Sequence, residues 1–369
     1  MGRKDMKFPI SWPARDPRMK RHTRLVMVLA AATATLASVG FAAPGASAST
    51  RHARRASTVL PRQVFAPYFE AYDTSRGGPA AQSRASGAKY LSLAFLQTAR
   101  AGSCTDYWNA DTSEPISSSS FGSDISGIQA AGGNVIPSFG GASADATGTE
   151  LADSCTSVTS IAQVYEKVIN TYHVPRIDLD VEGASLTNTA GINRRNEAVA
   201  QVESWAAAHK ISIQFSYTLP ATATGLTSQD DAVIKNAIAD HAQISVVNLM
   251  TFDYYIGTEQ NMVTDTETAA AGAYNELHSL FPSDTPAQVW QMIGVTEMPG
   301  IDDFGTDETF TTADATSVLN WAKAKGINTL SFWALQRDNG GCPGTKGTDT
   351  CSGIAQSTWY FSHVFAQFA

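Results

Sequence analysis

The chain has 369 residues, of which 43% are hydrophobic, with 26 Lys and Arg against 34 Asp and Glu and a formal net charge of −8. An acid excess of this kind excludes an extended basic face, so neither nucleic acid nor an anionic membrane surface is an expected partner. A neutral substrate is compatible with it, and the length permits a large buried core.

Residues 1 to 48 read as a secretory signal. A basic leader ends at Arg24, the apolar run "LVMVLAAATATLASVGFAA" follows, and Ala46, Ser47 and Ala48 have the small-x-small form of a cleavage site. Met19, followed by "KRHTRLVMVLA", makes a more ordinary start for such a leader. An uncleaved anchor helix is the alternative, since the run is just long enough to span a bilayer. Eight of the 26 bases but only two of the 34 acids lie before residue 49, leaving 18 bases against 32 acids after cleavage. No later segment is apolar enough to cross a membrane, so the expectation is a secreted, extracellular protein without membrane contact once processed.

Residues 49 to 62, "STRHARRASTVLPR", form a polar, basic tether without periodicity. From residue 63 to 369 the expectation is one domain. Short apolar runs alternate there with longer helical patterns. The runs are "VFAPYF" from Val64, "YLSLAFL" from Tyr90, "NVIPSF" from Asn134, "RIDLDVE" from Arg176, "ISIQFSYTL" from Ile211, "ISVVNLMTF" from Ile244, "VWQMIGV" from Val289 and "TLSFWAL" from Thr329. Segments such as "VTSIAQVYEKVINTYH" and "RRNEAVAQVESWAAAHK" supply the helices between them. Eight strands alternating with helices predict an α/β fold of the (β/α)8 TIM-barrel type. An open doubly wound sheet is the alternative, but no Gly-rich fingerprint follows the first strand.

Cys104, Cys155, Cys342 and Cys351 fall in polar stretches that read as loops. Three pairings are possible. The short spacing of Cys342 and Cys351, with Pro343, Gly344 and Gly347 between, favours a local staple and leaves Cys104 with Cys155. Zinc ligation is the alternative, without a CxxC spacing or a nearby His cluster to support it. No metal is expected.

The fourth run carries Asp178, Asp180 and Glu182 at alternate positions. Period-two alternation sends all three to one side, while Leu179 and Val181 face the other. A barrel places chemistry at the carboxyl ends of its strands, so the acids line the interior and rise to its mouth. Carboxylates are costly to bury unless paired or hydrogen-bonded, and a row of three marks a polar site.

These residues resemble the signature of glycoside hydrolase family 18, the chitinase family, and particularly its secreted single-domain bacterial members. The D-G-x-D-x-D-x-E motif of that family is matched in its last three acids by Asp178, Asp180 and Glu182. Its S-x-G-G motif is matched by Ser138, Phe139, Gly140 and Gly141, and its M-x-Y-D motif by Met250, Thr251, Phe252 and Asp253. Trp333, in "SFWAL", matches the Trp that floors the sugar site. The resemblance covers nearly all of the chain after the tether. Two positions depart from it: Pro175 and Arg176 replace the first Asp and Gly, and Phe252 replaces a Tyr whose hydroxyl steadies the reacting acetamido group. Tyr254, Tyr217 and Gln214 are the candidates to supply that hydroxyl's hydrogen bond.

What the resemblance implies is a secreted retaining chitinase that binds chitin or N-acetylglucosamine oligosaccharides and uses no cofactor. Glu182 would be the general acid and Asp180 the group that holds the acetamido N–H and offsets the charge of an oxazolinium ion, with Asp178 sharing its proton. Asp253 would contact the same sugar. Lectins that have lost catalysis occur on the same barrel, but they usually lose the final Glu of the signature, which is present here as Glu182. An endo-β-N-acetylglucosaminidase acting on N-glycans, or a muramidase, is possible within the same chemistry. Trp108, Tyr255 and Trp290 either stack on sugars or pack, with packing favoured for Trp290 at the start of its predicted strand. Only about 33 residues separate Thr296 from Thr329, too few for the insertion that deepens the cleft in this family, so the resemblance implies a shallow groove and endo action. The oligomeric state is not legible.

Overall fold

The structure, a computed structural model, describes residues 59–368. The predicted signal segment and the tether up to residue 58 lie outside the described residues. Among the described residues, no helix is long and apolar enough to cross a membrane.

The first predicted strand is divided into β1 (Val64–Phe65) and β2 (Tyr68–Glu70). Pro67 lies between them and has no N–H to give to a ladder. Further along the chain come β3 (Tyr90–Thr98), β4 (Asp106–Trp108), β5 (Asn134–Gly140), β6 (Arg176–Asp180), β7 (Gln214–Pro220) and β8 (Val246–Met250). The last are β9 (Ile293–Glu297), β10 (Gly300–Ile301), β11 (Thr309–Phe310) and β12 (Thr329–Phe332). The main sheet runs β1-β12-β9-β8-β7-β6-β5-β3-β2, with β4 antiparallel on β3. Because β1 and β2 are one continuous stretch of chain, the two ends of this order meet, and the parallel sheet closes into the expected barrel.

Helices cover the outside. Val158–Tyr172 starts at Ser157, whose side chain accepts the Ser160 N–H, and turns Ile161, Tyr165, Val168 and Ile169 inward. Each such side chain contributes roughly 1.5–3 kcal/mol by leaving water. Leu179 and Val181 join the same core, as the alternation predicts.

One predicted strand begins too early. Val289 and Trp290 end a short helix, Pro286–Trp290, rather than open β9. Thr285 and Gln288 form a reciprocal capping box and Pro286 occupies the first turn, a helix-start pattern that outweighs the β-branched and aromatic residues after it. Trp290 packs on Tyr274, with ring centroids 4.7 Å apart. The connection from β9 to β12 holds only the β10–β11 hairpin and the helix Thr312–Lys325.

Both cysteine pairs are disulfides, Cys104 with Cys155 and Cys342 with Cys351. The second closes a loop that lies by the barrel mouth, where Tyr72 donates to Asp349 at 3.2 Å.

Candidate active site

Asp178 sits inside the barrel and collects four hydroxyls. Tyr68 Oη and Ser138 Oγ donate to its Oδ2 at 2.9 and 2.7 Å, and Ser216 Oγ and Thr218 Oγ1 donate to its Oδ1 at 2.6 and 2.8 Å. Their strands, β2, β5 and β7, place these groups by register: Ser138 and Ser216 both lie opposite Asp178. Asn248 extends the network by donating to Thr218 and Thr296 at 3.0 and 2.8 Å. This satisfies a carboxylate that would be costly to bury alone.

Asp180, two residues on, is as buried, yet its Oδ1 meets no donor. Burial raises its pKa well above the usual carboxylate range, and the charges of Glu182, Asp178 and Asp145 add to the shift. A buried carboxyl oxygen left without a donor is free to accept an N–H.

Glu182 follows the end of β6 and is half-buried. Burial lifts its carboxyl from the ordinary 4.5 to about 7; the Ala142 N–H opposes this, and the charge of Asp303 reinforces it. A carboxyl tuned to this range is able to give up a proton near neutrality.

The Ser138–Gly141 segment is shaped to this strand. Gly140 has φ +99°, and a Cβ there would stand 2.1 Å from the carbonyl oxygen of Asp180. Gly141 has φ +84°, and its Cβ would strike the Phe95 ring at 2.6 Å. Its N–H donates to that same carbonyl of Asp180 at 3.1 Å. Trp333 lies just past β12, stacked on Phe95 at 5.5 Å and 14° and tilted against Tyr68 at 5.6 Å. Both Trp333 and Phe95 remain partly exposed, giving an apolar floor beside the acids.

Several sequence expectations are corrected. Tyr217 points away from the barrel interior: its hydroxyl donates to Asn196 on the helix Thr189–Ala208 at 2.8 Å, because its neighbours Ser216 and Thr218 take the inward positions. Gln214 opens β7 at the opposite end of the barrel, where its Oε1 accepts from Arg176 at 3.1 and 2.8 Å. The Tyr254 hydroxyl faces Thr266 and Glu297 behind β8. None of the three stands in for the hydroxyl absent at Phe252. Trp108 is fully buried and donates to Tyr172 Oη at 3.0 Å, so it packs.

Met250 ends β8 on the inward side, in line with Asn248. Asp253 is turned to the β10–β11 loop. Its Oδ1 accepts the N–H groups of Asp303 and Phe304 at 3.0 and 3.3 Å, and its own N–H donates to Asp302 at 2.9 Å. Burial, then Asp302 and Asp303, raise its pKa well above the usual range.

Asp253, Asp302 and Glu308 could together offer three oxygens to a cation. Those oxygens are already engaged by backbone donors, however: Asp302 accepts from Phe304 and Gly305, and Glu308 from Tyr254 and Ile256. The arrangement is a hydrogen-bonded loop anchor.

Sequence reasoning missed Tyr68, Phe95, Asp145 and Asp303. The inward side of β2 and the carboxyl end of β3 could have flagged the first two. Nothing local marks the last two.

No protein-family model matches the chain. It is 30% identical over 320 residues to a "Probable bifunctional chitinase/lysozyme" of Escherichia coli (strain K12), covering 84% of this chain and 35% of that protein. It is 29% identical over 287 residues to "Endochitinase 11" of Metarhizium anisopliae, covering 75% of this chain and 53% of that protein. The chain thus spans only about a third to a half of the length of these curated relatives. Active domain 2 of the chitinase from Pyrococcus furiosus, solved as catalytic-site mutants with chito-oligosaccharides, superposes with a TM-score of 0.72 at 27% identity, covering 84% of this chain and 95% of that one. With the acid row on β6, the glycine turn after β5 and the tryptophan after β12 all in place, the chain belongs to glycoside hydrolase family 18, the chitinase family.

Proposed function

We propose that this protein is a secreted retaining glycosidase that hydrolyses the β-1,4 linkages of chitin and N-acetylglucosamine oligosaccharides. The observation that carries the reading is the graded acid row. Asp178 is fixed by four hydroxyls, Asp180 is buried with an unpaired oxygen, and Glu182 is lifted to about 7 beside an aromatic floor.

In the proposed reaction a sugar rests on Trp333 with its acetamido N–H toward Asp180. Glu182 gives its proton to the glycosidic oxygen as the C1–O bond breaks. The acetamido carbonyl oxygen bonds to C1, forming an oxazolinium ion whose positive charge Asp180 offsets. Glu182, now a carboxylate, takes a proton from water as that water attacks C1 and reopens the ring with net retention. The chemistry needs no nucleophilic carboxylate and no cofactor. The short connection between β9 and β12 supports an open groove and endo action. Secretion rests on the leader before residue 49.

The test is specificity for the acetamido group. Chitohexaose is expected to be cut at internal linkages, with cellohexaose untouched; equal cleavage of both would refute substrate assistance. The "lysozyme" in the name of the Escherichia coli relative makes peptidoglycan, whose sugars carry the same group, the second substrate to assay.

A further inference from the structure

Behind Glu182 lies a second layer of carboxyls that the reaction above does not use. Asp145, on the short helix Ala142–Thr147, is buried. Its Oδ2 accepts the backbone N–H of Glu182, and its Oδ1 lies 3.0 Å from Ser185 Oγ. The same Ser185 hydroxyl also bonds Asp153 Oδ2.

A serine hydroxyl has one hydrogen to donate. Two carboxyl oxygens meet it here, so one of the two acids must supply a proton of its own. Asp153 is the better supplied of the two: the neutral amide Asn188 Nδ2 donates to its Oδ1 at 2.8 Å, and the cationic Arg195 Nη2 stands 4.0 Å away. Among the described residues, no cation stands that close to Asp145. The consistent arrangement is Asp145 Oδ1–H donating to Ser185 Oγ, and Ser185 Oγ–H donating to Asp153. Asp145 Oδ2 is then a carbonyl oxygen, free to accept from Glu182.

We propose that Asp145 is a positioning residue for the acid Glu182, held as a neutral carboxylic acid by the chain Asp145, Ser185, Asp153. This rests on the glycosidase reading for its purpose, though not for its protonation state. The surroundings agree. Burial, then the charges of Glu182 and Glu150, push the Asp145 carboxyl well up, against the opposing pull of Arg195 and the Glu182 N–H. Arg195 itself is committed to Glu150 at 2.8 Å. A neutral Asp145 fixes the turn that carries Glu182 without placing a further negative charge behind Glu182 and Asp180. An ionised one would oppose the carboxylate that Glu182 becomes once it has given up its proton.

The experiment compares Asp145→Asn, Asp145→Ala and Ser185→Ala with the wild type. The readouts are kcat, KM, thermal midpoint and the infrared carbonyl band of protonated carboxyls at pH 6. Asn can accept from Glu182 and donate to Ser185. The expectation is that Ala loses about tenfold or more in kcat at near-constant KM, and that Asn recovers it to within about threefold of wild type. One protonated-carboxyl band should be missing in Asn and shifted in Ser185→Ala. The band needs no turnover, so it reports on Asp145 even if the chain hydrolyses no chitin. No missing band in Asn, Asn as damaging as Ala, or Ala as active as wild type would each overturn the proposal. If Ala fails to fold, the Asn rates and the two infrared comparisons still decide.

Discussion

Glu182 is the last of the three acids, just past the end of β6 and nearest solvent, and burial lifts its carboxyl to about 7. The pH dependence follows with a definite sign. An acid that must be protonated to act is lost as pH rises through its pKa, so kcat/KM should fall on the basic side near pH 7. Asp303 contributes to that position by its negative charge. A negative neighbour raises a carboxyl's pKa, and removing it lowers the pKa. Asp303→Asn should therefore move the basic limb of the profile to lower pH. A limb that stays in place, or moves upward, would show that Asp303 does not tune this group. The acid row itself was legible in the sequence because alternation is a strong signal. What was not legible is the hydroxyl shell: Tyr68, Ser138, Ser216 and Thr218 come from three other strands, and only the closed barrel brings them to Asp178.

At the scale of elements, β5 and β6 are locked by the glycine turn. The missing side chain at Gly140 lets the backbone pass the Asp180 carbonyl, and φ of +99° is strained for any other residue. Gly140→Ala is expected to cost about 2–4 kcal/mol by denaturant unfolding and to abolish turnover. Gly148→Ala, where the nearest atom lies 3.9 Å away at φ +68°, should cost only about 1 kcal/mol from left-handed strain. Equal costs would contradict the close-approach argument. Strand order and helix alternation were legible from the apolar runs. The break at Pro67 and the helix Pro286–Trp290 were not, because each hinges on a local backbone device, a missing N–H and a capping box, that outweighs an apolar run. The replacement candidates Tyr217, Tyr254 and Gln214 failed for a related reason. Residue type shows that a hydrogen bond can be made, but only position in the barrel shows which way it points.

Across the whole molecule, buried acids with raised pKa values accumulate around the barrel mouth. Glu297 is lifted from the ordinary 4.5 to about 8 and Asp302 from 3.8 to about 7, in both cases first by burial. A carboxyl whose folded pKa exceeds its unfolded value binds more protons in the folded state. Its stabilising contribution is fully present below the unfolded pKa and is lost as pH rises through the folded one. The thermal midpoint should accordingly decline from about pH 5 to pH 8, and Glu297→Gln should flatten part of that decline. A midpoint that rose across this window would contradict the sign. The same excess of acid keeps the mouth unsuited to anionic ligands and compatible with a neutral sugar chain.

The measurement that bears most directly on the central claim is proton NMR of the reducing ends first released from chitohexaose, with wild type and Glu182→Gln side by side. The account predicts β-anomers appearing before mutarotation in the wild type, and at least about a hundredfold slower release in the variant. Initial α-anomers, or undiminished release by Glu182→Gln, would contradict a retaining reaction driven by Glu182.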